Sequence, residues 1–253
     1  MRWRLLGCVA LVTLLSAATG SGAAAPQVSI SITSPQDGAA VTGVNIPIVV
    51  DVKGLKVDCD LAGKASREGV GHWHVILDER LVDMACGPGY LVSLRNVKPG
   101  QHTLKAVPAL NNHMEIKGGA KVTFTYQPEQ ALPPLADLNA GKPRLSISFP
   151  KNGATVSGQT FPLIMNVQNF RLSCEMLGKP QLANTGHWHV HLDTMAEGMA
   201  AMATMLFMGC TNTFDVPLKG IVPGTHTFIV VLVDTMHYPI TPTAMERVTV
   251  RVK

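Results

Sequence analysis

The chain has 253 residues, 46% of them hydrophobic and only 15% charged, with a formal net charge of +4. This composition excludes a disordered chain and supplies enough apolar matter for two modest cores. It leaves no basic footprint for nucleic acid.

Taken in chain order, the first element is a targeting segment. Arg2 and Arg4 precede an apolar run from Leu5 to Ala18, followed by the small residues Ser21-Gly22-Ala23-Ala24-Ala25. Residues 1–25 therefore read as a signal peptide cut near Ala23 to Ala25, with an uncleaved N-terminal anchor as the rival. The run is short for a membrane span. Cleavage lowers the net charge to about +2 and points to a periplasmic or secreted chain, with no membrane span expected in the mature part.

The next element, residues 27–127, has a β pattern. Val28-Ser-Ile-Ser-Ile32 alternates with period two, Asp37-Gly38 is a turn dipeptide, and Ile46 to Val52, Val75 to Leu77, Thr103 to Leu110 and Ala120 to Tyr126 read as strands. A Pro-containing linker, 128–143, follows. Residues 144–253 then repeat the first copy. Pro35-Gln-Asp-Gly-Ala-Ala-Val-Thr-Gly43 matches Pro150-Lys-Asn-Gly-Ala-Thr-Val-Ser-Gly158, and Gly71-His-Trp-His-Val-Ile-Leu-Asp78 matches Gly186-His-Trp-His-Val-His-Leu-Asp193, each pair 115 residues apart. Beyond this the matches, among them Pro99-Gly-Gln-His102 with Pro223-Gly-Thr-His226, lie 124 apart. The second copy thus carries a nine-residue insertion between Asp193 and Met208, at about 194–207. Roughly seven short strands in about 100 residues favour an all-β, two-sheet sandwich in each copy.

Eight of the nine histidines form matched pairs: His72/His187, His74/His189, His102/His226 and His113/His237. His191 alone is unmatched and aligns with Ile76. On a strand, His72, His74 and Asp78 point one way, while Trp73, Val75 and Leu77 point into the core. Two imidazoles one residue apart sit about 6–7 Å from each other and can reach one ion. An antiparallel neighbour running from His102 to Leu110 brings His113 towards His72 and His74, and His102 towards Asp78. The expected metal sites are His72, His74, His113 and His187, His189, His237, with copper or zinc as the ion. Asp78 with His102 and Asp193 with His226 read as structural hydrogen-bonded pairs. The alternative is that the His-x-His pairs are surface residues bonded to loops.

The insertion contributes Met195, Met199, Met202, Met205 and Met208, spaced to share one stripe if the segment is a short helix. Thioethers favour Cu(I), and Met114 and Met236 beside the third histidines add further soft candidates. Such Met-x-x-Met spacing resembles the methionine segments of periplasmic copper-handling proteins. Taken alone, filling an apolar gap is the simpler reading of the segment. Cys59, Cys86, Cys174 and Cys210 are an even set suited to disulfides in an exported chain. Pairs Cys59–Cys86 and Cys174–Cys210 would tie the loop before each histidine strand to the loop after it, although four cysteines allow three pairings.

The motif Gly-His-Trp-His-Val-x-Leu-Asp, with Pro-Gly-x-His-Thr and a later histidine, resembles uncharacterised exported bacterial domains with an Ig-like or fibronectin-III-like β-sandwich. That resemblance implies a fold and no activity. His-x-His is also similar, locally, to a copper-ligating strand of copper/zinc superoxide dismutase, whose remaining pattern is missing. No nucleophile elbow, HExxH or phosphate-binding glycine loop occurs, so a binding protein is expected rather than an enzyme. The expected function is transition-metal binding, copper first and zinc second, for storage, delivery or sensing. The alternative is a metal-free module of the cell envelope that binds a protein or a glycan.

Overall fold

A computed structural model describes residues 27–196 and 198–253, without side-chain detail at 198–200; the expected signal peptide lies outside the described residues. Among the described residues no helix is long and apolar enough to cross a membrane. The chain is all-β, built as two tandem sandwiches.

In the first copy, β1 (Ser29–Ser34), β3 (Asn45–Lys53) and β7 (Gly89–Ser93) form one sheet in the order β1-β3-β7. The facing sheet has the order β2-β9-β8-β5-β4, from β2 (Ala39–Val41), β4 (Lys56–Val57), β5 (Val70–Leu77), β8 (Gly100–Leu110) and β9 (Ala120–Tyr126), with β6 (Arg80–Ala85) paired to β5. The second copy repeats this arrangement. Its β10 (Arg144–Phe149), β12 (Thr160–Gln168) and β16 (Thr213–Pro217) face β11 (Thr155–Val156), β13 (Arg171–Leu172), β14 (Thr185–Leu192), β17 (Gly224–Asp234) and β18 (Met245–Val252), with β15 (Met205–Gly209) paired to β14.

Sequence alternation sets the inner faces. Ile46, Ile48 and Val50 of β3 are buried while Asn45, Pro47 and Asp51 are exposed, and Phe161, Leu163 and Met165 repeat this on β12. Each core centres on a fully buried tryptophan, Trp73 or Trp188, whose indole N–H donates to the carbonyl of Gly87 or Thr211. The disulfides Cys59–Cys86 and Cys174–Cys210 are both present.

Strand β17 breaks the alternation: Phe228 to Val233 are buried at every position. Both faces of this strand are covered: Phe228, Val230 and Leu232 enter the second core, while Val231 and Val233 line a cavity shared with Ile76 and Leu81 of the first copy, which docks against the second. The docking follows a quasi-twofold relation. His113 Nε2 donates to the Met205 carbonyl at 2.7 Å, and His237 Nε2 donates to the Leu81 carbonyl at 3.0 Å. Donors and acceptors occupy equivalent repeat positions with the copies exchanged. A Cβ on Gly63 would collide with the Met205 carbonyl, and one on Gly178 would stand 2.6 Å from the Leu81 carbonyl. Both glycines have positive φ, so two requirements select glycine there.

The rest of the contact is polar at its edges. Lys64, buried, spends its ammonium on the Pro217 and Lys219 carbonyls at 2.6 and 2.7 Å and on its own Asp60 carbonyl. Lys219 reaches Asp58, and Arg95, its repeat equivalent, reaches Glu175. The linker is strapped to both copies and does not act as a free spacer. Asn96 exchanges two hydrogen bonds with the backbone of Leu135, Arg171 donates to the Ala136 carbonyl, and Asp137 accepts from the amide of Ala183.

The insertion departs from the expected helical stripe. Only Gly198–Thr204 is helical, as a 3-10 segment, and Met205 and Met208 lie on β15. The pairing of β15 with β14, His189 opposite Met208, overrides the local helix preference of the alanines.

Candidate metal centre

Each histidine strand has two buried faces. Trp73, Val75 and Leu77 enter the first core, and His72 and His74 are also buried, against the other copy instead of in solvent. Gly71, which opens the motif, allows β5 to press against β8, since a Cβ there would collide with the Ala109 carbonyl; Gly186 has the same role opposite Val233. At the end of β8 the chain turns, the His113 amide donating to the Leu110 carbonyl. Buried Asn111 fixes this turn by donating to the Lys64 and Ala65 carbonyls at 2.9 Å each, and Thr235 does so in copy two by donating to the Lys179 carbonyl. The turn leaves His113 at φ 64° and His237 at φ 69°. Left-handed backbone is costly for a non-glycine residue, and such strain collects at functional positions.

Among the described residues, two groups bring three metal-ligating side chains together: His72, His74, His113 and His187, His189, His237. Within each group the ligand nitrogens all lie within 4.8 Å of one another. Nε2 of His72 and Nε2 of His74 are 3.2 Å apart. In copy two, Nε2 of His187 lies 2.9 Å from Nε2 of His189 and 3.0 Å from Nδ1 of His237, which is 3.5 Å from Nε2 of His189. An ion about 2.0–2.1 Å from each nitrogen fits just above a triangle of this size, with a fourth position open.

The protons support the same fit. His113 and His237 each commit Nε2 to a carbonyl of the opposite copy, which leaves Nδ1 with a lone pair. Each ring nitrogen has a single in-plane direction for a proton or a lone pair, so three that crowd together cannot pair off among themselves. Nδ1 of His113, the nitrogen left to face the triad, is buried with no hydrogen-bond partner. Burial, helped by repulsion from neighbouring rings, disfavours the charged form of His72, His113, His187, His189 and His237 and so favours the neutral form that ligates a metal. Desolvation, then His113 and His74, pushes His72 down to about 2; desolvation also takes His113 down to about 4. Burial holds His187 and His189 well below the ordinary value and lowers His237. The neighbours opposing protonation of His189 include His113, and those opposing His237 include His74, so the two triads feel each other across the docking surface.

The other anticipated residues divide in three ways. Asp78 accepts from His102 at 2.6 Å and from the Thr103 amide, Asp193 accepts from His226 and the Thr227 amide at 2.9 Å, and both pairs lie away from the triads as structural pins. Met205 and Met208 serve packing. They are buried in an apolar cluster with Ala62 and Met84 where the copies meet, which is the gap-filling use of methionine. Met114 is 62% exposed and stands outside the buried triad. Met195, Met202 and Met236 line a cavity of about 750 Å³ that reaches His189, His191 and His237. The Met199 side chain lies outside the described residues.

Two features of the site were missed from sequence. Glu115 accepts from Nδ1 of His74 at 2.9 Å, a carboxylate behind a ligand imidazole, and its carboxyl is held below its usual range mainly by that bond. Its position two residues after His113 was the available signal. His191, buried with its ring centroid 6.0 Å from that of His189, extends the file of imidazoles along β14. Its position two residues beyond His189 was the signal, since it shares that strand face.

No family model and no curated protein matches the chain. Among solved structures it is similar to the fibronectin(III)-like modules of Clostridium thermocellum CbhA, at 14% identity and TM-score 0.28, over 88% of this chain and 94% of that one. It is also similar to the N-terminal Ig1-2 module of a Drosophila receptor protein tyrosine phosphatase, DLAR, at 8% identity and TM-score 0.24, over 89% and 99%. A Bacteroides ovatus protein of a mixed-linkage glucan utilization locus, SGBP-B, solved with a mixed-linkage heptasaccharide, matches at 14% identity and TM-score 0.25, over 89% of this chain and 47% of that one. With every TM-score below 0.5, these likenesses carry no argument about what this chain does.

Proposed function

We propose that this protein is an exported, non-catalytic binding protein that holds transition-metal ions, copper first and zinc second, at two three-histidine sites, for storage, delivery or sensing. The observation that carries the reading is the convergence of three imidazoles, buried or nearly so, in each copy, with the third ring aimed by the hydrogen bond it donates to a carbonyl of the opposite copy. A buried, nitrogen-rich site with an open fourth position suits copper and zinc better than hard cations, which prefer oxygen. The two disulfides support an oxidising compartment.

The test is metal content after equilibrium dialysis of untagged, chelator-stripped protein against Cu(II) or Zn(II). The expected result is two ions per chain, one in His72→Ala/His74→Ala, one in His187→Ala/His189→Ala, and none in the combined variant. Equal content in all four proteins overturns the reading and leaves an interaction module of the envelope.

A further inference from the structure

The two triads are equivalent by repeat, but their surroundings are not. In copy one, Nδ1 of His74 bonds the Glu115 carboxylate, while the repeat equivalent of Glu115 is Pro239, which brings no charge. In copy two, the position of Ile76 is taken by His191. The cavity of about 750 Å³ opens on His189, His191 and His237; Met195, Met202 and Met236 line it, and so do Glu115, Glu79 and Arg80 of the first copy. None of His72, His74 and His113 lines it.

Resting on the reading proposed above, we infer that the sites divide labour by preference: the first triad, with a carboxylate hydrogen-bonded behind one ligand imidazole, prefers a divalent ion, and the second prefers a monovalent soft ion, Cu(I), handed to it through the cavity that Met195, Met202 and Met236 help to line. A carboxylate behind a ligand imidazole makes the ring more basic and adds a negative charge to the site, which favours a divalent cation. Uncharged imidazole backed by thioether favours the cuprous ion, whose charge needs less compensation and whose softness matches sulfur. His191 lines the same cavity as Met195 and Met202, with its ring centroid 6.0 Å from that of His189, and is assigned the part of a relay ligand. The insertion that separates the copies in sequence is therefore the element that separates them in chemistry, since Met195 and Met202 come from it.

The experiment uses the full mature chain and two probes, Zn(II) and the redox-inert soft ion Ag(I), each titrated by calorimetry with a competing chelator. His187→Ala/His189→Ala should keep the tighter Zn(II) site and lose the tighter Ag(I) site; His72→Ala/His74→Ala should keep the tighter Ag(I) site and only the weaker Zn(II) site. Met195→Leu/Met202→Leu/Met236→Leu should weaken Ag(I) about tenfold or more with Zn(II) unchanged. Glu115→Gln should weaken Zn(II) about 10–100-fold and Ag(I) by much less, since Glu115 bonds a ligand ring of the first triad and only lines the cavity of the second. His191→Ile, which installs the residue of copy one, keeps the test open should the triple variant fail to fold, and should also weaken Ag(I) alone. Uptake of both ions by either surviving triad with like affinity, or Ag(I) affinity indifferent to the methionines and His191, overturns the division while leaving the metal reading intact. Uptake of neither ion by the unaltered chain removes the metal reading itself.

Discussion

Stripping the protein of metal and lowering the pH should destabilise it steeply. His113 and His191 are both held down to about 4 by burial, against the ordinary histidine value near 6.5. Above pH 6.5 both rings are neutral whether the chain is folded or not, and they contribute no pH dependence. Below it the unfolded chain takes up protons that the folded chain refuses, so stability falls with pH until the folded values are reached. Each ring shifts the unfolding equilibrium about thirtyfold between pH 7.5 and 5, and the two together shift it about a thousandfold, on the order of 4 kcal/mol. Asp83, raised to about 6 by burial, works in the opposite direction and offsets about tenfold over the same window. His72, His187 and His189 are lowered further and add to the loss. Urea unfolding followed by tryptophan fluorescence at pH 7.5, 6.5, 5.8 and 5 should therefore show a midpoint that drops sharply below pH 6.5. A midpoint flat across that range would refute the claim that these rings are buried and neutral.

Other outcomes follow from the docking and the cross-links. Gly63→Val or Gly178→Val drives a branched side chain into a carbonyl of the opposite copy, from a backbone at positive φ. Small-angle X-ray scattering should show the copies separating, and metal affinity should fall with them because the third imidazole loses its anchor; an unchanged scattering profile would contradict the interface. Replacing Cys174 and Cys210 together by serine opens a loop of 36 residues. The expected cost is about 4 kcal/mol in chemical denaturation, and a loss below about 1 kcal/mol would show that the loop is held by other contacts.

Much of this architecture was legible because β-strands write their inner faces at period two, as on β3 and β12. The histidine triads were legible for the same reason: His72 and His74 share a strand face, and antiparallel pairing with β8 returns the chain at His113. The docking of the copies was not read from sequence, although the unbroken apolar run Phe228 to Val233 on β17 marks a strand covered on both sides. The fates of the methionines depended on that docking. Met205 and Met208 pack where the copies meet, while Met195 and Met202 face the cavity, and their even spacing carries no trace of the difference. The carbonyls of Leu81 and Met205 that aim the third histidines are backbone atoms, which any side chain supplies equally well.

The central claim is tested most directly by anomalous diffraction from crystals of the metal-loaded protein, recorded at the copper or zinc edge. The account predicts a peak about 2.0–2.1 Å from Nε2 of His187, Nε2 of His189 and Nδ1 of His237, and a second with the same mixed ligation at His72, His74 and His113. Peaks only at surface positions such as His102 and His226, or no peak in protein that has been loaded, would contradict it.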